Sequence, residues 1–268
     1  MRALLYNIVS EILLFIEYQL FMPFLWQGGI MFDLNTGLLT YLFPDGMTPF
    51  VLFGSLLIVL LAAYLLGSIN SAILISKVIY KDDIRRHGSG NGGMTNMLRT
   101  YGGKAALMTL VGDLGKTAIS ILLAGSVFGF GYVAGISVNG YCYFAGLFAV
   151  LGHVFPLYYG FKGGKGVLVT ATMALILTPV PFLMLFCIFV GVVALSKYVS
   201  LGSVTVAMLY PIMLHGTFAV VFESPMDGLI ALASIILACL IVWCHRENLK
   251  RIGERTERKL SFRKKNDD

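Results

Sequence analysis

Residues 82–103 read DDIRRHGSGNGGMTNMLRTYGG, a run dense in Gly, Ser, Thr, Asn and Arg. Such a segment exposes backbone N–H groups and hydroxyls beside guanidinium groups, which are the donors a phosphate needs. Gly88, Gly90 and Gly93 have the spacing of a dinucleotide-binding turn. No strand precedes them and an apolar run follows, so the context for that turn is missing. A flexible linker is the competing reading of this segment.

A second basic, glycine-rich stretch runs from Gly160 to Gly166, with Lys162 and Lys165 between the glycines. It resembles a nucleotide-binding P-loop in composition only. Tyr159 stands where that motif needs Gly, and Gly166 where it needs Ser or Thr, so nucleotide hydrolysis is rejected. An anion-binding loop remains, as does a basic turn that anchors a helix to anionic lipid. Two further stretches offer polar groups at the ends of apolar runs. One is His245-Arg246-Glu247-Asn248, where residues three apart share a helix face; the other is Lys197 to Ser203. Asp113 and Lys116, also three apart, lie inside an apolar run, where an unpaired charge is costly and a pair offsets the cost. His153, near Pro156, reads as either a helix-end hydrogen-bonder or a pocket residue. Nothing resembles a Ser-His-Asp triad or a pair of catalytic carboxylates. An enzyme built from these groups would work by positioning and by stabilising anionic oxygens.

The elements that must hold these stretches are apolar. The 268 residues are 57% hydrophobic and 13% charged, with a mean hydropathy of +0.83. A soluble domain carries about 25% charged residues. The apolar residues fall in long runs, which predicts an all-α, polytopic helical membrane protein. Seven core transmembrane helices are expected near 48–70, 104–128, 134–156, 166–178, 180–196, 201–222 and 227–244. The fourth is short, and Pro179 and Pro181 separate it from the fifth. Lys and Arg gather in 77–104, at 162 and 165, at 197 and in the tail 245–268, which alone carries nine. The alternate connections, near 129–133, 179–181 and 223–226, carry none. Seven crossings with the basic side cytoplasmic satisfy the positive-inside rule. The net charge of +6 is therefore assigned to a membrane face, with no nucleic acid as partner.

The chain divides into an N-terminal extension (1–46), a seven-helix membrane domain (47–244) and a basic cytoplasmic tail (245–268). Segment 3–27 is apolar but contains Glu11 and Glu17, so it fits an extra crossing or an interfacial helix. The extension is expected to be dispensable, or to arise from a start upstream of Met47. Cys142, Cys187, Cys239 and Cys244 lie in or at the ends of apolar runs without metal-ligand spacing, and neither a disulfide framework nor a metal is expected.

Seven ordered motifs carry a resemblance that covers about residues 50–260. They are Tyr64-Leu65-Leu66-Gly67-Ser68-Ile69-Asn70; Arg85 with His87-Gly88-Ser89-Gly90-Asn91; Thr95-Asn96 with Arg99; Gly152-His153-Val154-Phe155-Pro156; Phe161-Lys162-Gly163-Gly164-Lys165-Gly166; Tyr198-Val199-Ser200-Leu201; and His245-Arg246-Glu247-Asn248. Together they resemble the bacterial acyl-phosphate glycerol-3-phosphate acyltransferases, the PlsY family. The resemblance implies a multi-pass enzyme of the bacterial inner membrane, working at the cytoplasmic face without a cofactor or metal. It implies transfer of a fatty acyl group from acyl phosphate to the sn-1 hydroxyl of glycerol 3-phosphate, giving lysophosphatidic acid and phosphate in phospholipid synthesis. Membrane lipid would hold the alkyl chain. The residues carried over as catalytic are Ser89, Arg99, Lys165, His245 and Asn248. Those carried over as substrate-binding are Thr95, Asn96, Gly163, Gly164 and Ser203. The base is either His245 or a substrate phosphate oxygen; the second is favoured, because phosphate is already a good leaving group. Met94 and the Gly115-Lys116-Thr117 run depart from the family pattern without touching these residues.

Two other readings carry less. Acyltransferases that use acyl-CoA or acyl carrier protein have Asp five residues after a His. Here His87, His153, His215 and His245 are followed at that distance by Gly92, Tyr158, Val220 and Lys250. A transporter for anionic solutes would show broken helices at mid-membrane, whereas these polar clusters sit on one side.

Overall fold

The structure, a computed structural model, describes residues 36–260 apart from 47, 134–135, 138, 222 and 224. The expectations for residues 1–35 and 261–268, and the boundary at Met47, lie outside the described residues.

All seven apolar runs are helical. In chain order the helices are α1 (Gly37–Leu42), α2 (Pro49–Ser68), α3 (Ser71–Val78), α4 (Met94–Tyr101), α5 (Gly103–Phe128), α6 (Gly140–Val154), α7 (Val167–Leu177), α8 (Pro179–Ser196), α9 (Val199–Val221), α10 (Gly228–Cys244) and α11 (Arg246–Gly253). Local chemistry sets their ends. Thr48 caps α2 ahead of Pro49, Asn70 caps α3, Asn139 caps α6 and Asp227 caps α10, each accepting from backbone N–H groups that would otherwise lack partners.

Helices α2, α5, α8 and α9, together with α6 extended to Tyr159, are each long and apolar enough to cross a membrane. Helix α10, with 17 residues, meets the same length only when taken with α11, which bends away from it by 52° at His245. With 11 residues, α7 is about 16 Å long, roughly half the hydrocarbon thickness. It packs against α5, α6 and α8 and buries Val169, Met173 and Leu177, so its short length is enclosed by protein. The helix expected from residue 134 begins six residues later. Tyr132–Val133 pairs with Ile136–Ser137 in a two-residue antiparallel ladder, and Asn139 Nδ2 donates to the Phe128 and Gly129 carbonyls (2.9 and 2.6 Å), fixing the turn before α6.

Helix α6 is the hub. Two thirds of its span (67%) is buried, against 17% for α2 and for α8, whose other faces are left for lipid. Gly67 on α2 and Gly152 on α6 let these two helices touch backbone to backbone. A Cβ on Gly67 would overlap the Ala149 carbonyl, and one on Gly152 the Tyr64 carbonyl. The main core gathers around α6 with Cys142, Tyr143, Leu147 and Val150, joined by Ile121, Leu214 and Leu237. Leu39 of α1 is buried in it too, against the end of α5. A smaller core of Ala72, Ile73, Ile84, Met97 and Ala105 lies beneath residues 84–105 and supports them.

Candidate active site

The 82–103 segment is folded, not a flexible linker. Asp83 caps a short 3-10 turn at Ile84–Arg86 and pairs with Arg85 through Oδ2 and Nη2, 2.7 Å apart. Hydrogen bonds from Arg85 hold the Asp83 carboxyl down at about 2. The same guanidinium reaches the glycine turn, where Nη1 donates to the Tyr159 and Lys162 carbonyls (2.8 and 3.2 Å). Buried Asn96 staples the loop from within. Its Nδ2 donates to the carbonyls of Ile84, His87 and Asn91, and its Oδ1 accepts from Ser89 N–H at 3.0 Å. Gly88 has φ +59°, and a side chain there would overlap Asn96 Oδ1. Asn96 is thus committed to holding the loop, while Ser89, Thr95 and Arg99 are exposed.

The glycine turn docks on this loop. Gly92 N–H donates to the Gly163 carbonyl (3.3 Å), and Asn70 Nδ2 donates to the Gly92 carbonyl (3.1 Å). Gly163 and Gly164 in turn donate to the Val154 and His153 carbonyls at the end of α6, both at 3.1 Å. The turn delivers Lys165 to the tail, where its ammonium donates to Asn248 Oδ1. Burial pushes Lys165 down to about 8.

The tail closes the cluster. Past α10, the His245 side chain bonds back to the helix end, its Nδ1 lying 2.8 Å from Ile241 O, which also accepts from the His245 backbone N–H (3.1 Å). A carbonyl only accepts, so Nδ1 carries the hydrogen and Nε2 keeps a lone pair. Burial pushes the His245 imidazole down to about 4, so it is neutral at physiological pH. Asn248 Nδ2 donates to Ser200 Oγ (2.9 Å) and to Glu257 Oε1 (2.6 Å). Glu257 also accepts from Ser200 Oγ (2.6 Å) and Arg251 Nε (2.8 Å). Burial alone would raise the Glu257 pKa, but those three donors hold it below the usual value. Glu257 lies within electrostatic reach of Lys165, His245 and Arg99. Among the described residues no group of three or more His, Cys, Asp or Glu side chains could hold a metal ion.

The first loop, the glycine turn, the start of α9 and the tail therefore meet at one end of the bundle. Lys165 and Asn248 are in direct contact, His245 is within electrostatic reach of Lys165, and Arg99 is within electrostatic reach of Glu257. Ser203 is placed differently from its neighbours in the cluster: its Oγ donates to Val199 O of its own helix (2.9 Å), while Ser200 supplies the hydroxyl that enters the network. Sequence reasoning missed Ser200 as a network residue, and Glu257 altogether. Glu257 sits nine residues beyond Asn248 in a tail read as a solvated basic face. It reaches the site because the chain reverses at Arg255 (φ 60°) and Leu260 N–H bonds the Lys197 carbonyl (2.8 Å).

The sequence profile of the family described as glycerol-3-phosphate acyltransferase matches residues 57–255. A glycerol-3-phosphate acyltransferase of Mycoplasmopsis agalactiae is 38% identical over 232 residues, covering 78% of this chain and 95% of that protein. One from Clostridioides difficile is 39% identical over 210 residues, covering 78% and 98%. The crystal structure of PlsY, an integral membrane glycerol 3-phosphate acyltransferase in its glycerol 3-phosphate form, superposes with a TM-score of 0.67 at 32% identity, over 77% of this chain and 96% of that one. Its lysophosphatidic acid form gives 0.65.

Proposed function

The chain belongs to the glycerol-3-phosphate acyltransferase family, and we propose that its acyl donor is an acyl phosphate and its acceptor the sn-1 hydroxyl of glycerol 3-phosphate. The products are lysophosphatidic acid and inorganic phosphate. The observation that carries this reading is the cluster of Lys165, Asn248, Ser200 and His245 seated against a loop of exposed hydroxyl, amide and guanidinium donors at one end of an apolar bundle. Two phosphorylated reactants suit that end, and the donor's alkyl chain suits the lipid beside it. The excess of Lys and Arg in the loops at that end supports a cytoplasmic orientation in a bacterial inner membrane, crossed seven times with α7 as a short, enclosed pass.

In the reaction, the acceptor oxygen bonds to the acyl carbon, the bond from that carbon to the phosphate oxygen breaks, and the hydroxyl proton leaves. Lys165 and Arg99 stabilise the departing phosphate. Ser89 and Thr95 hold the two phosphates, with Asn96 shaping the loop that presents Ser89, while Gly163 and Gly164, whose N–H groups are bonded to the end of α6, fix the turn that carries Lys165. His245 and Asn248 orient glycerol 3-phosphate. The proton passes to a phosphate oxygen of the substrates. This route is supported by the low basicity of His245, whose conjugate acid loses its proton at about 4, well below the operating pH expected of a general base.

Phosphate release from acyl phosphate by the purified protein tests the reading. Release is expected only with glycerol 3-phosphate present, and acyl-CoA in place of acyl phosphate is expected to give no lysophosphatidic acid. Release without the acceptor identifies a hydrolase and rejects the proposal. In the same assay His245→Gln is expected to keep kcat within about a hundredfold of wild type. A far larger drop in kcat with binding intact makes His245 the base.

A further inference from the structure

Behind the glycine turn lies a buried cluster that the proposed mechanism does not use. Lys116 of α5 has three neighbours: Asp113 Oδ1 at 2.9 Å, the Ile69 carbonyl at 2.9 Å and His153 Nδ1 at 3.0 Å. Asp113 Oδ1 also accepts from Ser71 Oγ at 2.9 Å. All four side chains are buried. A carboxylate at 2.9 Å keeps Lys116 an ammonium, and an ammonium only donates. His153 Nδ1 must then accept, which places the ring hydrogen on Nε2. Asp113 Oδ1 stands 3.6 Å from the same Nδ1, too far to hydrogen-bond it.

The Nε2 edge of that ring faces the seam between the two phosphate-handling loops. A Cβ on Gly164 would overlap His153 Nε2 and would stand 2.9 Å from the Gly92 carbonyl, so only glycine lets the turn close over the ring. Among the described residues, Nε2 has no hydrogen-bond partner. Among the described residues the sealed side-chain polar atoms without a partner are Thr170 Oγ1 and Tyr210 Oη, so the unbonded Nε2 is not sealed off and its hydrogen is free to meet a ligand at the seam. The cluster also joins the elements that frame the seam: Ile69 at the α2–α3 break, Ser71 on α3 and His153 at the end of α6.

We propose that His153 is a further substrate-binding residue, presenting a fixed Nε2–H to an anionic phosphate oxygen at the Gly92–Gly164 seam, and that Lys116 and Asp113 are the positioning residues that set its tautomer. The proposal rests on the acyltransferase reading above, and its test separates the two.

Imidazole 15N spectra of the full-length protein in detergent, assigned by the signals lost in His153→Gln, should show His153 as the Nε2–H tautomer. Its resonances should move on saturation with glycerol 3-phosphate or inorganic phosphate, and stay in place with glycerol. This readout needs no turnover, so a failed acyl-transfer assay leaves it standing. In kinetics, His153→Gln places an amide donor near the Nε2 position and is expected to stay within about tenfold of wild-type kcat/KM. His153→Asn is too short to do so and is expected to lose about a hundredfold, in line with the deletion of one pre-set donor, at an unchanged melting temperature. Lys116→Met should convert part of His153 to the Nδ1–H form. An Nδ1–H tautomer in the wild type, resonances indifferent to both phosphates, or His153→Asn as active as wild type would each overturn the proposal. Activity lost only in step with melting temperature also overturns it, since that is the behaviour of a packing residue. If His153→Asn does not fold, the spectra decide.

Discussion

Lys165→Met is expected to lower kcat/KM for glycerol 3-phosphate by about a thousandfold, equivalent to about 4 kcal/mol of transition-state stabilisation. The size follows from place and charge. Lys165 is a half-buried cation on a turn fixed from both sides, by the Gly92 N–H bond to Gly163 and by the α6 carbonyls of Val154 and His153. A charge held in a partly desolvated site acts on a departing phosphate more strongly than one in water, with no reorganisation at the moment of reaction. Burial pushes Lys165 down to about 8 in the free protein, so kcat/KM should fall as pH rises through about 8. Stability should move the other way. The unfolded lysine titrates near 10.4 and binds more protons than the folded one between the two values, so folding becomes more favourable as pH rises across that window. Lys165→Arg, which stays charged, should remove the alkaline limb and retain more activity than Lys165→Met. A kcat/KM profile flat to pH 10 in the wild type, or a Lys165→Met enzyme within tenfold of it, would reject the assignment.

Much of the scaffold was legible because a membrane permits few solutions. Runs such as Pro49–Ser68 and Pro179–Ser196 must be helices, since backbone groups in lipid need internal partners. Pro179 and the polar loops then mark where each one ends. The polar stretches were legible for the complementary reason: donors as dense as those of 82–103 and 160–166 have little other use at the end of an apolar bundle. Their internal order was not legible. Nothing local says that Asn96 turns inward to hold four backbone groups while Thr95, its neighbour, stays exposed, or that Met94–Tyr101 is a helix within a glycine-rich segment. That choice is made by Ile84 and Met97, which bury together against α3 and α5. Ser200 and Ser203 share a face of α9 one turn apart; Ser203 bonds back to the Val199 carbonyl while Ser200, in the first turn, reaches Asn248 and Glu257, and the family resemblance directed attention to Ser203. Glu257 depends on a chain reversal at Arg255, beyond α11, set by long-range bonds to Ser200 and Lys197 that no periodicity encodes. Asp113, Lys116 and His153 were visible as costly polar groups in apolar runs. Their shared ammonium became visible only once α5 and α6 were packed side by side.

Asn248→Asp is expected to cost about as much activity as the loss of Lys165, although it changes neither the size nor the shape of the side chain. Asn248 works with both ends of its amide: Oδ1 accepts from Lys165, and Nδ2 donates to Ser200 Oγ and, at 2.6 Å, to Glu257 Oε1. Aspartate can accept from Lys165 but offers no donor in return, and it sets a second carboxylate against the first. Two carboxylates at that separation do not both ionise readily, so the pair should retain one proton well above the ordinary range and titrate as a unit. The substitution then adds negative charge where a phosphate must bind, and kcat/KM should fall by about 10³-fold at pH 8. The pH window of the carboxylate contribution moves upward and its sign changes. In the wild type the Glu257 pKa is lowered on folding, so its stabilisation is present above the unfolded carboxylate value and is lost as pH falls through the folded one. In Asn248→Asp the shared proton raises the folded value, so the folded state binds more protons than the unfolded one and stability falls as pH rises from about 5 to 8. Between those two pH values the Glu257 contribution is nearly level in the wild type, whereas the variant should lose melting temperature relative to wild type at pH 8 and recover part of its activity at pH 5. Parallel melting profiles with wild-type turnover would mean that Asn248 donates nothing of consequence to Glu257, and the tail would then have no part in shaping the phosphate site.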